Sequence, residues 1–105
     1  MTVIATVQAT FPDLDEAARI GRTLVEARLA ACCNVLTPCV SVYRWEGAVD
    51  TAHEAIAQFK TLPGRATAAV ARIAQLHSYT LPAIEWWTAA TDEVAHRWIA
   101  DALGA

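Results

Sequence analysis

Glu46-Gly47 sits between two long runs of strand-forming residues, and no other feature constrains the fold of this chain as tightly. Ser41-Val42-Tyr43-Arg44-Trp45 precedes it, and an extended run after it ends in Phe59-Lys60-Thr61. Gly47 supplies the positive φ of a tight hairpin turn, and Tyr43 and Trp45 are good strand residues at alternating positions. The pattern predicts strands over 32–45 and 48–60. Pro38, which cannot donate to a ladder, marks a bulge or a sheet edge in the first of them. Arms this long exceed the usual strand of about five to six residues. They project beyond a small domain's own core, so the hairpin predicts a partner chain.

The other elements surround that hairpin. Residues 2–10 alternate as a strand, which Pro12-Asp13 stops. Asp13 with Glu16 resembles a capping box, and Leu14, Ala17, Ala18, Gly21, Leu24, Val25 and Leu29 then recur at helical spacing for about four turns. Thr61-Leu62-Pro63 opens a second amphipathic helix carrying Ala66, Ala69, Val70, Ile73 and Leu76, which ends near His77. Leu81 to Trp87 reads as a fourth strand. Thr91-Asp92 caps a short last helix with Val94, Ala95, Trp98, Ile99 and Ala102 as its apolar positions. The order βαββαβ plus a helix predicts a single α+β domain over 1–105: a ferredoxin-like sandwich with a long hairpin between its second and third strands. Trp86 and Trp87 are consecutive in strand four, so they point to opposite faces. One can use the chain's own core, and the other needs a second surface.

Composition narrows the partners. Charged residues are 18% of the 105 residues, against a usual fraction of about 25%, which again favours a buried subunit interface. The net charge is −3 and no Lys/Arg cluster occurs, so nucleic acid and anionic membranes are poor partners. The N-terminus reads as a strand rather than a signal peptide, and no apolar run approaches the ~18 residues of a membrane helix. The three cysteines, an odd number without a CxxC pair, suit a reducing cytoplasm.

Leu29-Ala30-Ala31-Cys32, Asn34, Ser41, Tyr43, Trp45-Glu46-Gly47, Glu54, Lys60-Thr61, Leu76-His77, Tyr79, Pro82 and Trp98-Ile99 stand in an order and spacing that resemble the CutA divalent-cation tolerance proteins. The match runs over nearly the whole chain. The resemblance implies a homotrimer of ferredoxin-like subunits with strands joined across subunits. It also implies a loose association with copper and other divalent cations, no required cofactor and no established catalytic activity. The chain departs from the family at Ser78 and Thr80, where proline and glutamate usually flank the tyrosine, and at Ala83, where a further glutamate is usual. Those carboxylates belong to the family's inter-subunit cleft, so their loss weakens the expectation of metal binding there.

The candidate metal set is Cys32, His77 and Glu54. The Cys32 thiol suits a soft ion, although free cysteine is commonly a small buried hydrophobe. Cys33 faces the opposite side of a regular strand, so the adjacent pair does not chelate one ion. His77 and Tyr79 stand where a helix hands over to a strand, a common place for functional side chains; a helix C-terminal histidine is the ordinary alternative. Glu54 and Lys60 share one face of their strand, as Tyr43 and Trp45 share one face of theirs. They line a pocket or form an inter-subunit salt bridge. The cleft is accordingly expected to contain Tyr43, Trp45, Lys60 and Tyr79.

Two other functions use the same fold. A PII-like trimeric small-molecule sensor needs a long mobile loop and phosphate-binding elements, whereas the turn here is tight and no Gly-rich loop is present. An acylphosphatase-like hydrolase needs an anion-cradling loop with an arginine after strand one. The loop here is Thr10-Phe11-Pro12-Asp13.

Overall fold

A computed structural model describes residues 2–105. Four strands form one antiparallel sheet: β1 (Thr2–Phe11), β2 (Cys32–Trp45), β3 (Ala48–Thr61) and β4 (Ile84–Thr91), in the order β2-β3-β1-β4. Helix α1 (Leu14–Glu26) crosses from β1 to β2, α2 (Ala66–Leu76) follows a 3-10 turn at Pro63–Arg65, and α3 (Glu93–Leu103) closes the described chain. This is the expected ferredoxin-like α+β sandwich.

Alternation along β1 divides the core in two. Ala5, Val7, Ala9 and Phe11 face α1 and α2 and pack with Ile20, Leu24, Phe59 and Ile73. Ile4 points to the other face, where it meets Ile99 and Leu103 of α3. The centre of that second face is polar: Gln58 donates to Gln8 at 2.9 Å, and Gln8 donates to Glu85 at 2.8 Å.

The hairpin has arms of 14 residues each. Trp45 pairs with Ala48, and Glu46 (φ 50°) with Gly47 (φ 81°) makes the two-residue turn with both central residues left-handed. Between Leu36, paired with Ile56, and Cys39, paired with Glu54, β2 carries one extra residue, a bulge at Thr37-Pro38. Both expectations for Pro38 therefore hold, since β2 is also the sheet edge. The outer half of the hairpin leaves the body, in a chain that measures 45 × 25 × 22 Å.

Several expectations are corrected. Helix α1 ends at Glu26, a turn before Leu29, because Arg28 turns left-handed (φ 59°) and its N–H and that of Leu29 return to Val25 O and Leu24 O. Strand β4 starts at Ile84 and runs to Thr91; its first β1 partner is Ala9, and Leu81-Pro82 lies outside the ladder. Neither Trp86 nor Trp87 uses the chain's own core: they are 47% and 41% exposed, because β4 is the other sheet edge. Helix α3 buries Ile99 and Leu103 but leaves Val94 and Trp98, one turn apart, in the open.

Candidate functional site

A cavity of about 670 Å³ lies where the hairpin leaves the body, lined by Thr10, Ser41, Tyr43, Trp45, Glu54 and, after α2, Ser78, Tyr79, Thr80, Leu81 and Ala83. The hairpin side follows from strand alternation. Past the bulge, Ser41, Tyr43 and Trp45 share a face and pair with Ala52, Asp50 and Ala48, which lie on the Glu54 side of β3. The opposite wall is the non-helical stretch between α2 and β4.

One partly buried network holds that wall in place. Asp13 caps α1 by accepting from the Glu16 N–H at 2.8 Å, which is half of a capping box. The Glu16 side chain does not reach back to complete the box. Its carboxylate, buried on the inner stripe of α1, accepts from both the N–H (3.1 Å) and the hydroxyl (2.9 Å) of Ser78. His77 is buried and stacks on Phe11 with ring centres 4.4 Å apart. Its Nε2–H donates to Thr10 O at 2.7 Å and its Nδ1 accepts from the Tyr79 N–H at 3.0 Å. The carbonyl can only accept, so this network assigns the proton to Nε2. With Nδ1 unprotonated, its 3.7 Å approach to Glu16 is not an ion pair.

Tyr79 carries the network into the cavity. Its hydroxyl donates to Glu54 Oε2 at 2.6 Å, joining the segment after α2 to the hairpin across 25 residues of sequence. Partial burial of the ring and the Glu54 carboxylate together hold the phenol pKa well above the ordinary tyrosine value.

The expected site residues divide accordingly. Tyr43, Trp45, Glu54 and Tyr79 meet at the cavity. Lys60 does not: it lies six residues from Glu54 on β3, about 20 Å along the strand. Cys32 is at that distant end too, paired with Lys60. His77 stands behind the wall with both ring nitrogens engaged. Among the described residues no three His, Cys, Asp or Glu side chains are placed to hold one ion, so the donors of a single chain do not fit a metal. All three cysteines are free thiols.

Two participants had a sequence signal that the prediction did not use. Ser41 alternates with Tyr43 and so belongs to the same face. Glu16 precedes the buried Ile20 by one helical turn, which places a carboxylate on an otherwise apolar stripe. Thr10 and Leu81 complete the lining without such a signal.

Comparison with known proteins gives the arrangement a lineage. Residues 5–102 match the family of CutA1 divalent ion tolerance proteins. The divalent-cation tolerance protein CutA of Thermus thermophilus is 38% identical over 78 residues, 74% of this chain and 76% of that protein. The crystal structure of the divalent ion tolerance protein CutA1 from Ehrlichia chaffeensis superposes with a TM-score of 0.92 at 29% identity, covering 95% of this chain and 94% of that one. The structure of the periplasmic divalent cation tolerance protein CutA from Archaeoglobus fulgidus gives 0.91 at 31% identity, covering 95% and 98%. A family match over nearly the whole chain, with the same fold at this closeness, means that the chain belongs to the CutA1 divalent ion tolerance family.

Proposed function

We propose that the chain works as a homotrimer in divalent metal-ion tolerance, without a catalytic role, and that it binds copper or another divalent cation only modestly. The observation that carries the oligomer is the hairpin. Beyond the body it exposes Val40, Val42 and Val49 on one face, at 59%, 68% and 63%. An apolar face on a hairpin whose strand β2 is also an unpaired sheet edge invites uncontrolled pairing unless copies of the chain close it among themselves. Trp86 and Trp87, on opposite faces of the other sheet edge, are further exposed apolar side chains that a neighbouring copy would cover. Residues 5–102 match the family whose members are named for divalent-ion tolerance, which supports the metal reading.

The cavity favours modest affinity. Glu54 is its lone carboxylate, with one oxygen already taken by Tyr79, so a competent site needs donors from another copy. Three free thiols agree with a reducing cytoplasm as the place of work. No helix among the described residues is long and apolar enough to cross a membrane.

Light scattering coupled to size exclusion should give about three times the 11.3 kDa chain mass. A stable monomer at micromolar concentration overturns the oligomer. Copper calorimetry on the wild type, Glu54→Gln and Cys32→Ser should show weak binding, reduced in at least one variant. Equal binding by all three makes those residues structural and the metal link indirect.

A further inference from the structure

We propose that Trp86 of one copy of this chain seats in the groove between α1 and β2 of the next. The inference rests on the reading of the chain as an assembly of copies, and goes beyond it by naming an anchor residue and a register.

The groove has a volume of about 370 Å³ and is lined by Ala18, Gly21, Arg22 and Val25 of α1 and by Cys33 and Val35 of β2. Gly21 gives it depth, since the helix backbone there lies against the Cys33 thiol with no side chain between. The groove runs beside β2, a sheet edge whose outer backbone groups have no strand partner. At the other edge, Trp86 pairs with Val7 and so shares the helix face of the sheet, yet stays half-exposed. A covered tryptophan buries about 150–250 Å², and the Arg22 guanidinium at the mouth can stack on its ring.

Sheet geometry brings the two together. Every neighbouring pair in the order β2-β3-β1-β4 is antiparallel, so the two edge strands run in opposite directions. A rotation about an axis along the strands leaves strand direction and helix side unchanged. It therefore brings β4 of one copy antiparallel against β2 of the next, and a third of a turn closes such head-to-tail contacts into a ring. The rotation also keeps each residue at its height. Cys33, Phe59, Val7 and Trp86 form one row across the sheet, and Asn34, Gln58, Gln8 and Glu85 form the next. Trp86 thus arrives opposite Cys33, at the groove, and Glu85 arrives opposite Asn34.

The second row adds polar complementarity. Gln58 donates to Gln8, and Gln8 to Glu85 Oε1, which leaves Glu85 Oε2 without a donor among the described residues. Asn34, exposed at the β2 edge, carries the amide donors that this oxygen lacks. The joint buries an indole on one face of the joined sheet and completes a hydrogen-bonded row on the other. A foreign strand would have to reproduce both features at adjacent residues, whereas a second copy carries them already.

The test uses the full chain. Within one chain Asn34 and Glu85 are three strand spacings apart, about 14 Å, so a disulfide between cysteines placed there joins two chains. Asn34→Cys with Glu85→Cys, in a chain also carrying Cys32→Ser and Cys39→Ser, should give dimer and trimer bands on non-reducing gels after diamide oxidation. Either new cysteine alone should give no trimer band. Trp86→Ala should weaken the assembly by about tenfold or more in urea-induced dissociation, and Trp86→Phe by less. Val25→Ala should also weaken it, but have little further effect once Trp86 is gone. An intact assembly that yields no cross-link, or additive effects of Trp86→Ala and Val25→Ala, overturns the joint. If the cysteine variant comes apart before oxidation, the Trp86–Val25 pair decides. Light scattering on the wild type keeps the readings distinct: a monomer overturns the assembly itself, whereas a trimer without cross-link and coupling overturns this joint alone.

Discussion

The Tyr79 hydroxyl and the Glu54 carboxylate, 2.6 Å apart, are the one side-chain hydrogen bond between the hairpin and the wall of the cavity among the described residues. Their contact depends on three supports: the bulge that resets the face of β2, the Glu16–Ser78 bonds, and the seating of His77 on Phe11. Each support lies on a different element, so the cavity reports on the fold as a whole.

This pair should be visible in alkaline titration. The Tyr79 phenol should ionise well above the ordinary tyrosine value of about 10, and Glu54→Gln should bring it back toward that value. Ultraviolet difference spectra of the wild type, Glu54→Gln and Tyr79→Phe separate it from Tyr43. A phenol pKa raised by folding means that the native state keeps a proton which the unfolded chain releases. The stabilising contribution is thus complete below about pH 10 and fades as pH climbs toward the native value. Glu54→Gln should flatten that alkaline loss. A Tyr79 phenol that titrates near 10 in the wild type would refute the contact.

The turn carries strain that one substitution relieves. Glu46 is held left-handed at φ 50° without the local hydrogen bonding that lets asparagine adopt this region cheaply. Glu46→Asn should stabilise the protein by about 0.5 kcal/mol, and Gly47→Val should destabilise it by about 1–2 kcal/mol. Denaturant midpoints with unchanged slopes are the measurement. A loss of stability in Glu46→Asn would mean that the Glu46 side chain makes a contact in the assembled protein that outweighs backbone strain.

Cys33 is half-buried against Gly21, and its thiol is held in the neutral, unreactive form. A Cβ placed on Gly21 would sit 2.8 Å from its Sγ, and burial, with a smaller effect from the neighbouring Cys32, pushes the thiol pKa up to about 12. Gly21→Ala should therefore cost about 1–3 kcal/mol, part of which Cys33→Ala recovers in the double variant. Iodoacetamide at about pH 8 should leave Cys33 unmodified in the native protein and alkylate it in the unfolded chain. Peptide mass mapping gives the answer, and rapid native labelling of Cys33 would contradict the packing.

The hairpin was legible in the sequence because its signals are local: alternation, a breaker at Pro38 and a glycine at the turn. The cavity was only half legible for the same reason. Alternation placed Tyr43 with Trp45 and Glu54 with Lys60, but sharing a face says nothing of distance along a strand of 14 residues. Lys60 and Cys32 consequently fall at the far end. The Tyr79–Glu54 bond joins a segment without periodicity to a strand 25 residues away, and no local pattern encodes such a contact. Strand β4 was shifted because Thr88-Ala89-Ala90-Thr91 is poor in large strand formers, yet all four residues pair with β1.

Ser78 is the sole anchor of the segment after α2 to the Glu16 carboxylate among the described residues. Its N–H and hydroxyl are the only donors to the buried Glu16 carboxylate among the described residues. Ser78→Ala removes one charge-assisted bond and should cost about 1–2 kcal/mol. Ser78→Pro removes both donors and leaves a desolvated carboxylate unpaired, at a cost of roughly 3 kcal/mol. The chain after His77 then loses its anchor to α1, so Tyr79 should drift from Glu54 and its phenol pKa should fall toward the ordinary value. Adding Glu16→Ala to Ser78→Pro removes the stranded charge, and the double variant should be more stable than Ser78→Pro alone. Urea unfolding of the wild type, Ser78→Ala, Ser78→Pro, Glu16→Ala and the double variant, with the tyrosine titration repeated on each, reads both effects. Additive costs in that cycle would show that Glu16 and Ser78 do not act as a unit.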